Sequence, residues 1–239
     1  MSADEIRERA LAAPKLSFGF EKALGRSGLS FICECKKASP SKGLIAPDFK
    51  YLKIAEEYEE AGADCISVLT EPEYFLGKSE YLKEISSVVS IPCLRKDFIV
   101  DEYMIYSAKL LGASAVLLIT SILDESRLKE YIGICDLCGM SALVETHSGG
   151  EIDTALRAGA RVIGVNNRDL RDFSVSTENA ARLRGLVPKD VLFVAESGIR
   201  TAEDVKRLYD AGADAVLIGE TLMKAEDKGK KLSELKSLL

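Results

Sequence analysis

At 239 residues, 47% hydrophobic and 29% charged, the chain has an ordinary globular balance and room for one large α/β domain or two small ones. Its net charge of −6, without a long basic run, excludes nucleic acid or an anionic membrane as the main partner, because neutralising phosphates needs a concentrated basic surface. No apolar run approaches the roughly 18 residues of a membrane span. The start, Met-Ser-Ala-Asp-Glu-Ile-Arg-Glu-Arg-Ala, lacks the apolar region of a signal peptide, so the expected location is cytoplasmic.

The cysteines, at 33, 35, 65, 93, 135 and 138, do not read as a disulfide framework, since four of them fall inside strand-like apolar runs where a small buried hydrophobe fits. Cys135 and Cys138 form a Cys-x-x-Cys late in an expected helix. With no second pair and a single histidine, His147, a metal or redox site is disfavoured.

Residues 4–28 read as one or two short helices, the second around Phe18-Gly-Phe-Glu-Lys-Ala-Leu, forming a cap over residues 1–29 ahead of the first strand. From residue 30 onward, β-rich runs alternate with helical ones. Strands are expected at 30–36, 64–70, 91–96, 114–119, 140–146, 162–166, 191–196 and 214–218, with helices at 50–61, 80–88, 101–111, 124–137, 150–158, 177–184 and 201–210. In the first of these helices Leu52, Ile54, Ala55 and Tyr58 give an apolar stripe and Gly62 ends it.

A repeat underlies the alternation: Ala61-Gly-Ala-Asp, Leu111-Gly-Ala-Ser, Ala158-Gly-Ala-Arg and Ala211-Gly-Ala-Asp each close a helix just before a strand. Each interval between them spans two strand-helix units, so four pairs make eight units. Eight such units over residues 30–239, with no linker rich in Pro, Gly or Ser, predict a single-domain (β/α)8 barrel, a TIM barrel, rather than an open doubly wound sheet. The Gly-x-Gly-x-x-Gly of a dinucleotide fold is missing after the first strand, where Ser-Pro-Ser-Lys-Gly stands instead, so no nicotinamide or flavin is expected.

Active sites of such barrels lie at the C-terminal strand ends, so polar residues there are candidates. The first strand ends with Glu34 and Lys36, the third with Arg95, Lys96 and Asp97, the fifth with Glu145, the sixth with Asn166 and Arg168, and the seventh with Glu196 and Ser197. Period-two alternation pairs Leu94 with Lys96, Leu143 with Glu145, Gly164 with Asn166 and Val194 with Glu196 on one face, matching Ile32, Glu34 and Lys36. Two lysines and three carboxylates gathered at one mouth suit proton transfer, desolvation and neighbouring charge moving each pKa toward its task. An ion-pair plug in the barrel top would use the same residues, and on strand grounds alone Lys96 could equally be a Schiff-base nucleophile. Glu196-Ser-Gly-Ile-Arg and Ile218-Gly-Glu-Thr-Leu-Met, after the last two strands, place Gly198 and Gly219 before helices, where backbone N–H groups form a phosphate cradle. The side chain of Glu220 does not suit a phosphate, but its backbone N–H can donate to one while the side chain turns away.

Glu34-x-Lys36-x-x-Ser39-Pro-Ser-x-Gly43, Leu94-Arg-Lys96-Asp-Phe, Leu143-Val-Glu145-Thr-His, Gly164-Val-Asn166-Asn-Arg168-Asp-Leu and Ala195-Glu196-Ser-Gly-Ile, in order over residues 17–224, resemble indole-3-glycerol phosphate synthase. The resemblance implies conversion of 1-(2-carboxyphenylamino)-1-deoxyribulose 5-phosphate to indole-3-glycerol phosphate, carbon dioxide and water in tryptophan biosynthesis, with no metal and no organic cofactor. It implies Lys96 as the acid of ring closure and Glu145 as acid or base in the later steps. Lys36 is implied as binder of the substrate carboxylate and acid of dehydration, with Glu34 and Asn166 orienting these groups. Ser39 and Arg168 would contact anionic or hydroxyl groups of the substrate, Glu196 and Ser197 its sugar side, and the amides near Gly198, Gly219 and Glu220 its phosphate. The partner implied is thus a phosphorylated small molecule, and 7% aromatic residues without tryptophan suggest a monomer. Two departures stand out: the segment before the first strand is short for covering the mouth, and Ala38 replaces a basic residue of some relatives. Another phosphosugar barrel enzyme, an aldolase or an isomerase, and a barrel that only binds a phosphorylated ligand are the competing readings.

Overall fold

Eight short apolar runs become parallel strands because each is buried on both sides, by the barrel interior on one face and by helices on the other. In a computed structural model describing residues 1–168, 175–176 and 178–239, the strands are β1 Ser30–Cys35, β2 Cys65–Leu69, β3 Cys93–Lys96, β4 Ala115–Ile119, β5 Ser141–Thr146, β6 Val162–Asn166, β7 Leu192–Glu196 and β8 Ala215–Ile218. Each strand pairs in parallel with its neighbours in the chain, and β8 returns to β1 with Ser30 opposite Ala215, closing the barrel. All eight lie within two residues of the expected positions. Thr177, which opens the helix expected at 177–184, and Asp169 and Leu170 of the Gly164-to-Leu170 motif lie outside the described residues.

The helices are α1 Ala3–Ala12, α2 Gly19–Leu24, α3 Tyr51–Glu60, α4 Ser79–Val88, α5 Glu102–Leu110, α6 Glu125–Cys138, α7 Gly149–Arg157, α8 Glu178–Leu183, α9 Ala202–Asp210, α10 Glu220–Met223 and α11 Lys228–Lys236. Local chemistry sets their ends. The side chain of Asp124 accepts from the Arg127 N–H to start α6, and Thr201 with Asp204 forms a capping box on α9. The four repeated turns share one geometry: Gly62, Gly112, Gly159 and Gly212 have φ of 82°, 88°, 92° and 90°, which only glycine adopts without strain. The next alanine donates its N–H back into the helix, as from Ala63 to the Tyr58 carbonyl at 2.9 Å and from Ala213 to that of Leu208 at 3.0 Å, completing a Schellman motif.

Two elements escape the sequence pattern. α11 is largely charged and buries only Leu232 and Leu235. A small antiparallel ribbon pairs Ala38 with Leu44 and Ser39 with Gly43, so the loop after β1 is shaped by backbone hydrogen bonds.

Period-two alternation divides the strand side chains into two cores. Phe31, Cys33, Ile66, Val116, Val144 and Phe193 point outward to the helices. Ile32, Cys65, Leu94, Leu143, Val194 and Leu217 point inward, and Phe20, Ala23 and Leu24 of α2 join this inner cluster. Phe20 and Leu24 are fully buried. Ser30 Oγ donates to the Ala23 carbonyl at 3.2 Å, and the Glu21 N–H donates to Ser141 Oγ at 3.2 Å, pinning α2 to residues that begin β1 and β5. The N-terminal cap therefore closes the end of the barrel opposite the strand C-termini, and no residue of 1–29 lines the mouth. All six cysteines are buried thiols.

Candidate active site

At the C-terminal ends of the strands the barrel opens into a cavity of about 770 Å³. Glu34, Lys36, Lys96, Glu145, Asn166 and Glu196 all line it, as do Ser39, Arg168, Ser197, Gly198, Gly219 and Glu220. These twelve residues thus meet in one place. On β1, β3, β5 and β7 the inward face carries an apolar residue deep in the barrel and the polar one a step nearer the mouth, as Leu94 precedes Lys96 and Leu143 precedes Glu145.

Glu34 ends the inner face of β1. Lys36, just beyond the strand, reaches back to donate from Nζ to Glu34 Oε1 at 2.6 Å, while Ser67 Oγ donates to Oε2 at 3.3 Å. Burial opposes the charge on Glu34, but the Lys36 and Lys96 ammoniums outweigh it and hold the carboxyl below its usual range. Gly219 makes this pair fit: a β-carbon there would stand 2.4 Å from Glu34 Oε1 and 3.0 Å from Lys36 Nζ.

Lys96 lies at the centre, its Nζ 3.3 Å from Glu145 Oε2 and 3.7 Å from Glu196 Oε2. Burial alone would discharge it; Glu145, Glu196 and Glu34 together raise its pKa, so at rest it is an ammonium. Asn166 Nδ2 donates to Glu145 Oε1 at 3.2 Å, and Asn166 Oδ1 accepts the Arg168 N–H at 3.0 Å, which fixes the amide's orientation. Glu196 is buried, and its Oε1 has no hydrogen-bond partner among the described residues. Burial first, then repulsion from Glu145 and Glu34 against the pull of Lys96, raises its pKa to about 8. One mouth thus holds Glu34 ionised and Glu196 protonated at neutral pH, the divergence expected of acid–base assignments.

The loops after β7 and β8 are tied together, Thr221 Oγ1 donating to the Ile199 carbonyl at 2.6 Å. Ser197 and Gly198 both take left-handed backbone, with φ of 68° and 82°, and Asn167 Nδ2 holds the Ser197 carbonyl at 3.1 Å. Glu220 Oε1 accepts from Lys224 Nζ at 2.6 Å, with Arg168 Nη2 at 3.9 Å from its Oε2. Burial works against that carboxylate, but Lys224, Lys42 and Arg168 lower its pKa, so a cationic patch borders the two glycine loops. The half-buried Ser39 faces the same cavity from the ribbon after β1.

Sequence reasoning missed the opposite wall. Tyr74, Phe75 and Phe98 line it, with Tyr74 and Phe98 edge to face at 6.4 Å. Glu71 accepts the N–H groups of Glu73, Tyr74 and Phe75 at 2.8, 2.7 and 3.0 Å and so fixes the loop that carries two of these rings. Arg95, counted among the strand-end charges, faces outward: it donates to Asp97 Oδ2, Thr70 Oγ1 and the Met104 carbonyl, bracing the turn that presents Phe98. Its position out of phase with Leu94 and Lys96 is the sequence signal for this.

Ammoniums interleaved with carboxylates of opposed protonation, at the strand ends of a (β/α)8 barrel, equip the chain as an acid–base enzyme. A family model described as indole-3-glycerol phosphate synthase matches residues 2–235. Proteins of that name from Lachnoclostridium phytofermentans and Ruminiclostridium cellulolyticum are 59% and 57% identical to the chain over 222 residues, covering 93% of it and 82% and 85% of their own lengths. The chain belongs to the indole-3-glycerol phosphate synthase family. Among solved structures, 3-hexulose-6-phosphate synthase superposes with a TM-score of 0.67 at 15% identity over 88% of this chain and 100% of its own. Thiamine phosphate pyrophosphorylase from Pyrococcus furiosus does so with 0.65 at 17% over 88% and 95%. At such identities these two speak for the barrel fold alone.

Proposed function

We propose that this mouth carries out the family's decarboxylative ring closure on 1-(2-carboxyphenylamino)-1-deoxyribulose 5-phosphate with its own side chains as the acids and bases. The observation that carries this reading is Lys96 Nζ held between Glu145 Oε2 at 3.3 Å and Glu196 Oε2 at 3.7 Å, a cation within reach of two carboxyl groups. In ring closure the aryl carbon bearing the carboxylate attacks the ketone, and Lys96 protonates the developing alkoxide. Loss of carbon dioxide then restores the aromatic ring. Dehydration needs an acid for the departing hydroxyl and a base for the proton on the carbon next to nitrogen, with Lys36 as that acid and Glu145 exchanging protons in these later steps.

Glu34 and Asn166 orient these groups, and Lys36 also binds the substrate carboxylate. Ser39 and Arg168 contact the substrate's anionic and hydroxyl groups, while Glu196, whose Oε1 has no partner among the described residues, and Ser197 meet the sugar side. The phosphate lies at the amides near Gly198, Gly219 and Glu220, beside Arg168, Lys42 and Lys224. Favouring this end is its positive charge, which already attracts the Glu220 carboxylate. The 1–29 extension and the 30–239 barrel work as a single domain, as a monomer in the cytoplasm; light scattering on the purified chain tests the monomer. Incubation with the carboxyphenylamino deoxyribulose phosphate should generate indole fluorescence in the wild-type chain and none in Lys96→Ala. Wild-type turnover in Lys96→Ala would overturn the assignment, and borohydride trapping of a lysine adduct would turn it toward aldolase chemistry.

A further inference from the structure

His147, two residues beyond Glu145, has no role in the steps above, yet its ring is aimed into them. Its Nε2 is buried without a hydrogen-bond partner among the described residues and lies 3.5 Å from Glu145 Oε1. On the other side, Nδ1 is 3.2 Å from Glu151 Oε2. That oxygen is fixed in turn, accepting the His147 backbone N–H at 2.7 Å and the Thr120 hydroxyl at 2.8 Å, and Glu151 is held in the first turn of α7. Thr120 Oγ1 also reaches the Glu145 carbonyl at 2.9 Å. The charged groups facing the imidazole are Glu145 from β5, Glu151 from α7 and Glu196 from β7, with Lys96 beyond Glu145. Burial favours the neutral ring, but these carboxylates outweigh it and raise its pKa above the ordinary histidine value.

The proposed reaction has a proton balance that needs such a group. An ionised aryl carboxylate leaves as neutral carbon dioxide. Two protons go onto the ketone oxygen, which departs as water, and one returns from the carbon next to nitrogen. Each turnover therefore consumes one proton from solvent, inside a mouth where the Glu145 side chain is only 4% exposed. We propose that His147 delivers this proton, passing it from Nε2 to Glu145 while Nδ1–H stays bonded to Glu151. In that transfer the Nε2–H bond breaks, an O–H bond forms on Glu145 and the ring becomes neutral. Water entering the mouth after product release recharges Nε2. The gap of 3.5 Å closes by a few tenths of an ångström as the site tightens on substrate. Protonating Glu145 also removes the nearest counter-charge from Lys96 and makes its ammonium a stronger acid.

The inference rests on the reaction proposed above, and the two fail separately. The test is steady-state turnover of the full chain with the carboxyphenylamino deoxyribulose phosphate across about pH 5.5 to 9, bracketing histidine titration. His147→Gln is expected to lower kcat by about tenfold or more with KM unchanged, and added imidazole to restore His147→Ala while leaving the wild type unaffected. Glu151→Gln, which removes the charge that retains the imidazolium, is expected to move the alkaline fall of kcat to lower pH, and it serves if the histidine variants do not fold. Wild-type kcat and pH profile in His147→Gln, a His147→Ala loss that imidazole does not reverse, or an unmoved alkaline limb in Glu151→Gln would each overturn the relay. A wild-type chain that forms no indole product overturns the reading of function instead.

Discussion

The Glu196 carboxylate lies against the bare Cα of Gly164: a β-carbon on Gly164 would stand 2.1 Å from Glu196 Oε1 and 3.2 Å from Leu143 Cδ1. The glycine creates the space that a buried carboxyl fills with one oxygen unpaired among the described residues. Gly164→Ala should force Glu196 toward Lys96 or the cavity, destabilising the chain by about 1–3 kcal/mol, as overpacking does. It should also lower kcat at least about tenfold with the circular dichroism spectrum unchanged. A variant with wild-type kcat would show that Glu196 need not hold its position.

Lys96→Ala removes the central cation, leaving Glu145 and Glu196 without their shared counter-charge. General-acid contributions of about 10²–10⁴ set the scale of the expected loss in kcat. Glu145→Gln keeps the shape and a group for Asn166 to bond but takes away the charge opposite Lys96, and a loss of about 10² or more is expected on the same basis. Far-ultraviolet circular dichroism alongside single-turnover assays checks that the loss is chemical.

Stability should respond to pH through Glu196. Its folded pKa, about 8, exceeds the ordinary carboxyl value of 4.5, so the folded state binds the proton more tightly. The stabilisation is fully present below the unfolded value and is lost as pH rises through about 8, with a slope of at most about 1.4 kcal/mol per pH unit. Glu34 acts with the opposite sign: its lowered pKa stabilises above the unfolded carboxyl value, and this contribution is lost as acid protonates it. Urea midpoints of wild type and Glu196→Gln at neutral and alkaline pH measure the first effect. The difference between them should shift in the variant's favour as pH rises, and a constant difference contradicts the assignment.

Gly159 offers the complementary test at the other end of the barrel. Nothing lies within 4 Å of a β-carbon built there, but φ is 92°. Gly159→Ala should therefore cost only backbone strain, about 1 kcal/mol, and lower Tm by about 2–4 °C. Turnover should be untouched, because the turn lies at the barrel end opposite the mouth. Calorimetry and the fluorescence assay on one preparation separate the two effects.

Where the side-chain period decided the outcome, the sequence was a sufficient guide. Glu34, Lys96, Glu145, Asn166 and Glu196 share a face with Ile32, Leu94, Leu143, Gly164 and Val194, and once eight strands were counted the barrel geometry brought them to one mouth. The four Gly-Ala turns were legible because a left-handed helix end leaves a mark in the residues. Contacts between elements left no such mark. The approach of His147 to both Glu145 and Glu151 depends on how α7 docks after β5, and the backbone hydrogen bonds that Glu71 collects depend on a loop path. Gly164 gave no turn signal because its need is for empty space beside a side chain 32 positions away. Charge alone misled at Arg95, which supports the wall from behind.

The seal that Phe20 and Leu24 of α2 place across the base leaves the barrel, among the described residues, open at the mouth above the strand C-termini. Substrate, protons, carbon dioxide, water and the finished heterocycle must all pass through the same mouth. In the proposed mechanism carbon dioxide must escape past a bulky intermediate that has still to lose water. Anchoring that intermediate by its phosphate on the loops after β7 and β8, off to one side of the opening, keeps the exit clear, and traffic through a single door becomes a constraint on where the anchor can stand.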